Sequence, residues 1–371
     1  MILMANKTKK HIVIDARMRQ TTTGRYMDNL IENLQDIATG YKVSVLINPN
    51  DNWNPSAKNF STVPCVYKPY SFNPIKQITF SYLLYKLNAD LIHFTMSPQD
   101  PIFYRKKIIT TTHDLTVLKY KISGKLPSWV NYLRQKGYKF LMWQSNKKAK
   151  HVIVPTQYVA DDLNKKYLFT NRKTTVTLEA SDPPLAVKAS EPENSPENFV
   201  MYVGNAYEFK NLERLVSAFC MLKEHHSDLK LVFVGKKKYH LKKFHKWCKK
   251  QPYYEDIIFT GFVPDEELKW YYQNALAYVF PSLSEGFGLP GLEAMAHGCP
   301  VVSSNATCLP EVNGDAAHYF NPLDIQDMAT KIDEVISSES LRQKLIAKGY
   351  ENAKRFSWRR MATQTLQVYK D

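Results

Sequence analysis

The chain has 371 residues, 44% of them hydrophobic, enough for about two domains at a prior of roughly 150 residues each, and this argues against global disorder. No apolar run reaches the roughly 20 residues needed to cross a bilayer, and the five cysteines are odd in number with no CxxC pair, which points to free thiols in a reducing compartment. The net charge of +15 is uneven: residues 1–180 hold 27 Lys/Arg against 11 Asp/Glu, a net +16, whereas the remainder is near neutral. The basic half is therefore expected to meet an anionic partner, and charge alone leaves nucleic acid, an anionic membrane and an anionic substrate all open.

Along the chain, MILMANKTKK is too short and too soon charged for a signal-peptide core, and reads as a ragged start before the first strand. His11–Asp15 is expected to be that strand, followed from Gly24 by a helix whose apolar positions Tyr26, Leu30, Ile31, Leu34 and Ile37 recur at helical spacing. Lys42–Ile47, Leu91–Phe94, Ile108–Thr112 and Val152–Val154 are further short apolar runs of strand type. Residues 127–150 mix Trp129, Tyr132, Phe140 and Trp143 with Arg and Lys, as an interfacial helix would. A helix packed on its own domain with a solvated Lys face is the equal alternative.

Residues 181–198, rich in Pro, Ser, Glu and Asn, break the alternation and are expected to link two domains. The pattern then restarts. Strands are expected at Phe199–Val203, Leu229–Val234, Ile257–Thr260, Leu276–Phe280 and Val301–Ser303. A helix with Asn211 as its N-cap is expected from Leu212. The Lys-rich run 236–250 reads as a solvated helix face. Short strands separated by helices give an α/β class with two tandem doubly wound, Rossmann-like domains facing a central cleft.

The densest chemical signal is SLSEGFGLPGLEAMAHGCPVV, residues 282–302. A strand stops at Pro281; a loop follows in which Gly286 and Gly288 let backbone N–H groups approach a ligand. Pro290 suits the first turn of a helix, expected over Gly291–His297. Strand, glycine loop and helix N-terminus together make an anion site of phosphate type. Glu285 and Glu293 flank it, and a carboxylate suits acceptance from the vicinal hydroxyls of a sugar. A Glu near a helix start can also serve only as a partner of the helix dipole. Gly204 ends a strand, and Lys210 precedes a helix, where a cation is misplaced unless an anion is near. His113-Asp114 follows an apolar strand and is expected at its end. Arg25 is a second helix-start cation.

These motifs resemble the retaining glycosyltransferases of family 4, which have the GT-B fold. The likeness lies in EGFGLPGLE, EAMAHGCPVV, Pro310-Glu311 and Gly314, and extends over nearly the whole chain. Asp15-Ala16-Arg17, Gly24-Arg25-Tyr26, His113-Asp114-Leu115 and the pair Glu179-Ala180 are similar to those of the mannosyltransferase-like subgroup of bacterial surface-glycan assembly. The resemblance implies an acceptor domain over residues 1–180, a donor domain over 199–355, and a C-terminal helix, 356–371, packed back on the first. It makes Glu285 a contact of the donor sugar, Glu293 a grip on the ribose, and Lys210 a contact of the diphosphate. The backbone of Gly286, Phe287, Gly288 and Leu289, with Gly204, Asn205 and Ser284, completes the donor site. His113 becomes a contact of the donor sugar or reacting centre. Arg17, Gly24, Arg25 and Asp114 are the acceptor-side candidates. Relatives commonly carry two glycines before Arg-Tyr, where only Gly24 stands here, and an Arg in the loop that here reads Asn205–Phe209.

The implied partners are a GDP- or UDP-linked sugar, mannose first, and a saccharide or lipid-linked acceptor. The implied location is cytoplasmic, with peripheral contact at the inner face of an anionic membrane. No cofactor and no metal are expected, because no DxD motif stands at a strand end. Two rival readings are a GT-B sugar-nucleotide epimerase, which needs no acceptor, and a basic nucleic-acid-binding protein, against which the lack of base-stacking motifs weighs.

Overall fold

In the computed structural model the described residues are 9–370, apart from 20, 22–23, 70, 122–126, 182–186 and 237–238. The ragged start and part of the linker lie outside them. The chain divides into two compact units: residues 1–179 with 358–371, and residues 180–357.

The first unit contains the strands β1 (His11–Asp15), β2 (Lys42–Ile47), β3 (Phe60–Pro64), β4 (Leu91–Phe94), β5 (Ile108–Thr111), β6 (His151–Val154) and β7 (Thr174–Val176). They form one all-parallel sheet in the order β3-β2-β1-β4-β5-β6-β7. Its helices are α1 (Gly24–Ile37), α2 (Pro74–Lys86), α3 (Thr116–Lys119), α4 (Ser128–Lys148) and α5 (Gln157–Lys166). The central strands are buried on both faces, which is why they read as unbroken apolar runs rather than as alternation. The edge strands β3 and β7 escape the sequence reading because edges need less burial: FSTVP and TTV are only partly covered and mix Ser and Thr with apolar residues.

The second unit holds β8 (Phe199–Val203), β9 (Lys230–Val234), β10 (Ile257–Gly261), β11 (Ala277–Phe280), β12 (Val301–Ser304) and β13 (Ala317–Phe320), parallel in the order β10-β9-β8-β11-β12-β13. The helices are α6 (Leu212–Leu222), α7 (Tyr239–Cys248), α8 (Asp265–Asn274), α9 (Leu289–Ala296), α10 (Leu309–Asn313), α11 (Ile325–Ile336) and α12 (Glu339–Ala353). α6 buries Leu215, Val216 and Phe219 against β8 and β9 residues in a core that also takes in α11. Residues 187–190 lie on α8, through Ser190 N–H to Glu266 O at 3.1 Å and Lys269 Nζ to Val187 O at 3.0 Å.

The chain then returns to the first unit as α13 (Trp358–Lys370), which packs on α1 and buries Met361, Thr365 and Tyr369. Both sheets reverse their winding beside their first strand, between β1 and β4 and between β8 and β11. In open parallel sheets ligands bind at the carboxyl ends flanking such a reversal. Two corrections concern the elements themselves. Asn211 stands before α6 but in the left-handed region (φ 61°), and its side chain caps nothing. Its amide instead donates to Pro281 O (3.0 Å) and Pro322 O (2.8 Å), tying three loops together. α9 begins at Leu289, two residues earlier than expected, because Gly288 supplies a φ of 100° before it.

Candidate active site

In the second unit the loops after β8 and β11 meet. Gly204 leaves β8 with φ 148°, and a Cβ there would stand 2.8 Å from the Tyr202 hydroxyl. Asn205 is exposed and caps its own turn, accepting from Tyr207 N–H at 3.4 Å. The chain then makes a 3-10 turn, Glu208–Lys210, so Lys210 precedes α6 rather than opening it. Phe209 O accepts from Leu283 N–H at 2.8 Å, which stitches the two loops together. At that seam Lys210 Nζ lies 2.5 Å from Glu285 Oε1, with both side chains more than four-fifths buried. The anion that the misplaced cation calls for is thus, in this structure, Glu285.

The glycine loop is held from below. Glu285 N–H donates to the Thr307 hydroxyl at 3.2 Å, and Thr307 itself adopts a positive φ of 56°. Ser284 is buried, and Phe287 turns its ring inward onto Phe356 in an edge-on contact at 5.6 Å. Phe287 can therefore offer a ligand its backbone only. Leu289 opens α9, whose N-terminal amides follow the loop. Glu293 falls in the second turn, beyond the reach of a simple dipole partner. Tyr272 OH approaches its Oε2 at 3.4 Å.

In the first unit the carboxyl ends of β1, β4 and β5 meet. Asp15 is fully buried and takes the Arg17 guanidinium in a fork, Nε to Oδ1 at 2.7 Å and Nη2 to Oδ2 at 2.6 Å. The other donors of Arg17 go to Tyr67 O (2.7 Å) and Gln99 O (3.3 Å), and its plane lies over the Phe80 ring. Arg17 therefore faces inward, its guanidinium held by the nearest carboxylate. Gly24 opens α1 where a Cβ would fall 1.4 Å from Arg19 O, so it is needed for packing of the turn. Arg25 follows on the half-buried side of α1. Asp114 accepts from Thr116 N–H at 2.7 Å and so supports the start of α3.

His113 has both ring nitrogens engaged. Nδ1 lies 2.8 Å from Glu179 Oε1, and Nε2 donates to Thr95 O at 2.9 Å. Burial pulls its pKa down, but the hydrogen bond and charge of Glu179, helped by Thr95 O and Asp114, hold it above the ordinary histidine value. A proton on each nitrogen matches an acceptor at each end. The Tyr26 ring meets His113 edge-on at 4.7 Å. Behind it runs a buried chain: Tyr26 OH to Thr111 Oγ1 (3.1 Å), Thr111 to His93 Nε2 (2.8 Å), and His93 Nδ1 to Tyr369 OH (2.6 Å). Burial, with the nearby His113 charge, drives the His93 pKa down to about 3, so this second histidine is neutral.

Lys210 and Glu285 are thus brought together, and so are His113, Thr95, Asp15 and Arg17. Sequence reasoning missed Glu179 as the partner of His113: it stands far along the chain, and no spacing links the two. Thr307 and Asn211 were likewise illegible as loop supports. Among the described residues no group of three or more His, Cys, Asp or Glu is placed to hold a metal, all five cysteines are free, and no helix is long and apolar enough to cross a membrane.

Two parallel doubly wound units, with a glycine loop and helix start at the switch point of the second, define the GT-B class. Residues 23–178 match the family described as Glycosyltransferase Family 4, and residues 186–352 match Glycosyl transferases group 1; the chain belongs to these glycosyltransferases. It is 36% identical over 175 residues to O-antigen chain mannosyltransferase B of Escherichia coli, covering 47% of this chain and 46% of the relative. To O-antigen chain mannosyltransferase RfbU of Salmonella typhimurium it is 27% identical over 240 residues, 63% of this chain and 66% of the relative. The chain spans about half the length, or less, of the curated relatives matched most strongly. Its fold is that of sucrose-phosphate synthase from Thermosynechococcus elongatus (TM-score 0.75, 19% identity, 97% of this chain and 98% of that one) and of WaaG, a glycosyltransferase involved in lipopolysaccharide biosynthesis (TM-score 0.73, 16% identity, 96% and 99%).

Proposed function

We propose that the chain is a retaining, metal-independent hexosyltransferase that moves mannose from a nucleotide sugar, GDP-mannose first, to a saccharide or lipid-linked acceptor in bacterial surface-glycan assembly. The observation that carries this reading is the Lys210–Glu285 pair at the seam of the two switch-point loops, next to the start of α9. The O-antigen mannosyltransferases among its relatives support the choice of sugar and pathway class.

On this reading the pair is a resting state that the donor opens. The diphosphate takes Lys210, the glycine-loop amides and the α9 N-terminus. Glu285, released, accepts from hydroxyls of the sugar, and Glu293 accepts from those of the ribose. The bond from the anomeric carbon to the diphosphate oxygen then breaks while the acceptor oxygen bonds to that carbon from the same face. The acceptor proton passes to the departing diphosphate, whose charge Lys210 and the loop amides stabilise. His113, charged against Glu179, is the group of the first unit assigned to the reacting centre. To bond the sugar it must exchange Thr95 O for a sugar hydroxyl.

A thermal-shift screen of GDP, UDP, dTDP and their sugars tests the donor, because a ligand that binds only the native state raises the melting temperature. GDP-mannose should give the largest shift, and Glu293→Ala should diminish it. A larger shift with UDP- or dTDP-sugars overturns the donor assignment. Consumption of the donor without acceptor, yielding an isomeric sugar nucleotide, overturns transfer in favour of epimerisation.

A further inference from the structure

Behind His113 lies a polar core where an apolar one would serve the fold as well. Tyr26, His93, Thr111, Thr365 and Tyr369 are each no more than 3% exposed. Apolar groups of the same shape would stabilise such a volume about equally. A fully satisfied buried network does something else: it fixes the orientation of what it contains. Neutral His93 is the joint of this one. One of its nitrogens must donate and the other accept, and they meet the Thr111 hydroxyl at 2.8 Å and the Tyr369 hydroxyl at 2.6 Å.

At the near end of the network stands Tyr26. Its hydroxyl is held by Thr111 at 3.1 Å and by a hydrogen bond with Thr365, and its ring meets His113 edge-on at 4.7 Å. The contacts of His113 explain why such a wall matters. On the proposed reading Nε2 exchanges Thr95 O for a sugar hydroxyl. The imidazole then keeps one hydrogen bond, from Nδ1 to Glu179. A ring held at a single nitrogen can pivot about that bond, and the Tyr26 ring blocks the pivot only while Tyr26 itself is fixed.

Two of the five residues belong to α13. Thr365 and Tyr369 are four apart and so share one face of the helix, one reaching Tyr26 and the other His93. The helix is pinned at both ends, by Arg359 Nη1 to Asp36 Oδ2 at 2.7 Å and by Lys10 Nζ to Tyr369 O at 2.7 Å. The surroundings of His113 are thus completed by residues that follow the whole second unit in sequence. We propose that Thr365 and Tyr369 of α13 are positioning residues for His113, acting through Tyr26 and the His93–Thr111 link. The inference rests on the proposed function for placing His113 at the reacting centre; that α13 sets the imidazole is measured without turnover.

The test uses the full chain with 15N-labelled histidine, the His113 ring signals being assigned from His113→Gln. Tyr369→Phe and Thr365→Val each remove one hydroxyl and keep the shape of the side chain, and each should shift those signals. Tyr104→Phe, which deletes a buried hydroxyl of the same unit outside the network, should leave them in place. In transfer assays the first two variants should lower kcat by about tenfold or more, as lost orientation does. The KM for the donor and the rise in melting temperature with nucleotide should not change. The double variant should fall by less than the product of the two, because both act through Tyr26. Unmoved His113 signals in either variant, or an equal shift in Tyr104→Phe, would overturn the proposal. So would moved signals with unchanged kcat where His113→Gln is impaired. Full transfer by His113→Gln would instead count against the functional reading, while the spectra still decide whether α13 sets the ring.

Discussion

At the scale of single residues, the site is organised by which carboxylate reaches which cation. Lys210 holds Glu285 at 2.5 Å, and on the proposed reading its charge passes to the leaving diphosphate. Lys210→Ala should therefore cut transfer by about 10²-fold or more, the scale for losing one preorganised group at a developing charge. Near-normal transfer in a steady-state assay would refute that role. Arg17 behaves differently, because its fork on buried Asp15 is internal. Arg17→Ala strands a buried carboxylate and should cost about 3–5 kcal/mol in denaturant unfolding, a loss of stability before any loss specific to catalysis. The His113–Glu179 pair carries a pH signature. A histidine whose folded pKa is raised stabilises the fold fully below its ordinary value and loses that contribution as pH rises through the raised one. Glu179→Gln should thus be most destabilising in mildly acidic buffer, with the gap to the parent closing in alkaline buffer. Parallel stability curves would show the contact to be non-ionic. Glu285, Glu293, Lys210 and His113 were legible as candidates because each sits in a local motif. Glu179 stood out only as part of the Glu179-Ala180 pair, and its bond to His113 was not legible, since the two are 66 residues apart.

At the scale of elements, the loops after the strands depend on backbone room. Gly24 begins α1 with no space for a Cβ, since the obstacle is the main-chain oxygen of Arg19, which cannot swing aside as a side chain could. Gly24→Ala should cost about 1–3 kcal/mol or more, as overpacking does, and a melting temperature equal to the parent's would contradict the packing described. The element boundaries show where sequence reasoning stops. Central strands announced themselves through continuous apolar runs, and α1 and α6 through spacing. β3, β7 and β13 are short and half-covered at sheet edges, so partly polar residues suffice there. The start of α9 was misplaced because Pro290 suggested the first turn while the positive φ of Gly288, visible only in three dimensions, set it. Helix α2 gave no interpretable signal at all, because its apolar residues point both inward and outward and blur the periodicity.

At the scale of the whole molecule, two parallel-sheet units are built on one plan, and charge is not shared equally between them. Diphosphate charge on the proposed reading is met by Lys210, loop amides and a helix start rather than by a metal ion. Transfer should accordingly persist in EDTA at the rate seen without it, and loss on chelation with recovery in magnesium or manganese would overturn metal independence.

The sequence by itself determined the α/β class, the two-sheet plan, the family, and the glycine-loop motif from Ser284 to Glu293, because these rest on local periodicity and on residues adjacent in the chain. Tertiary structure alone decided that Arg17 is spent on Asp15, that Phe287 faces Phe356, that Glu179 pairs with His113, and that α13 supplies Tyr369 to His93. Each of those outcomes pairs groups remote in sequence or turns a side chain inward or outward. Composition and spacing do not encode such choices; burial and the competition for the nearest partner do.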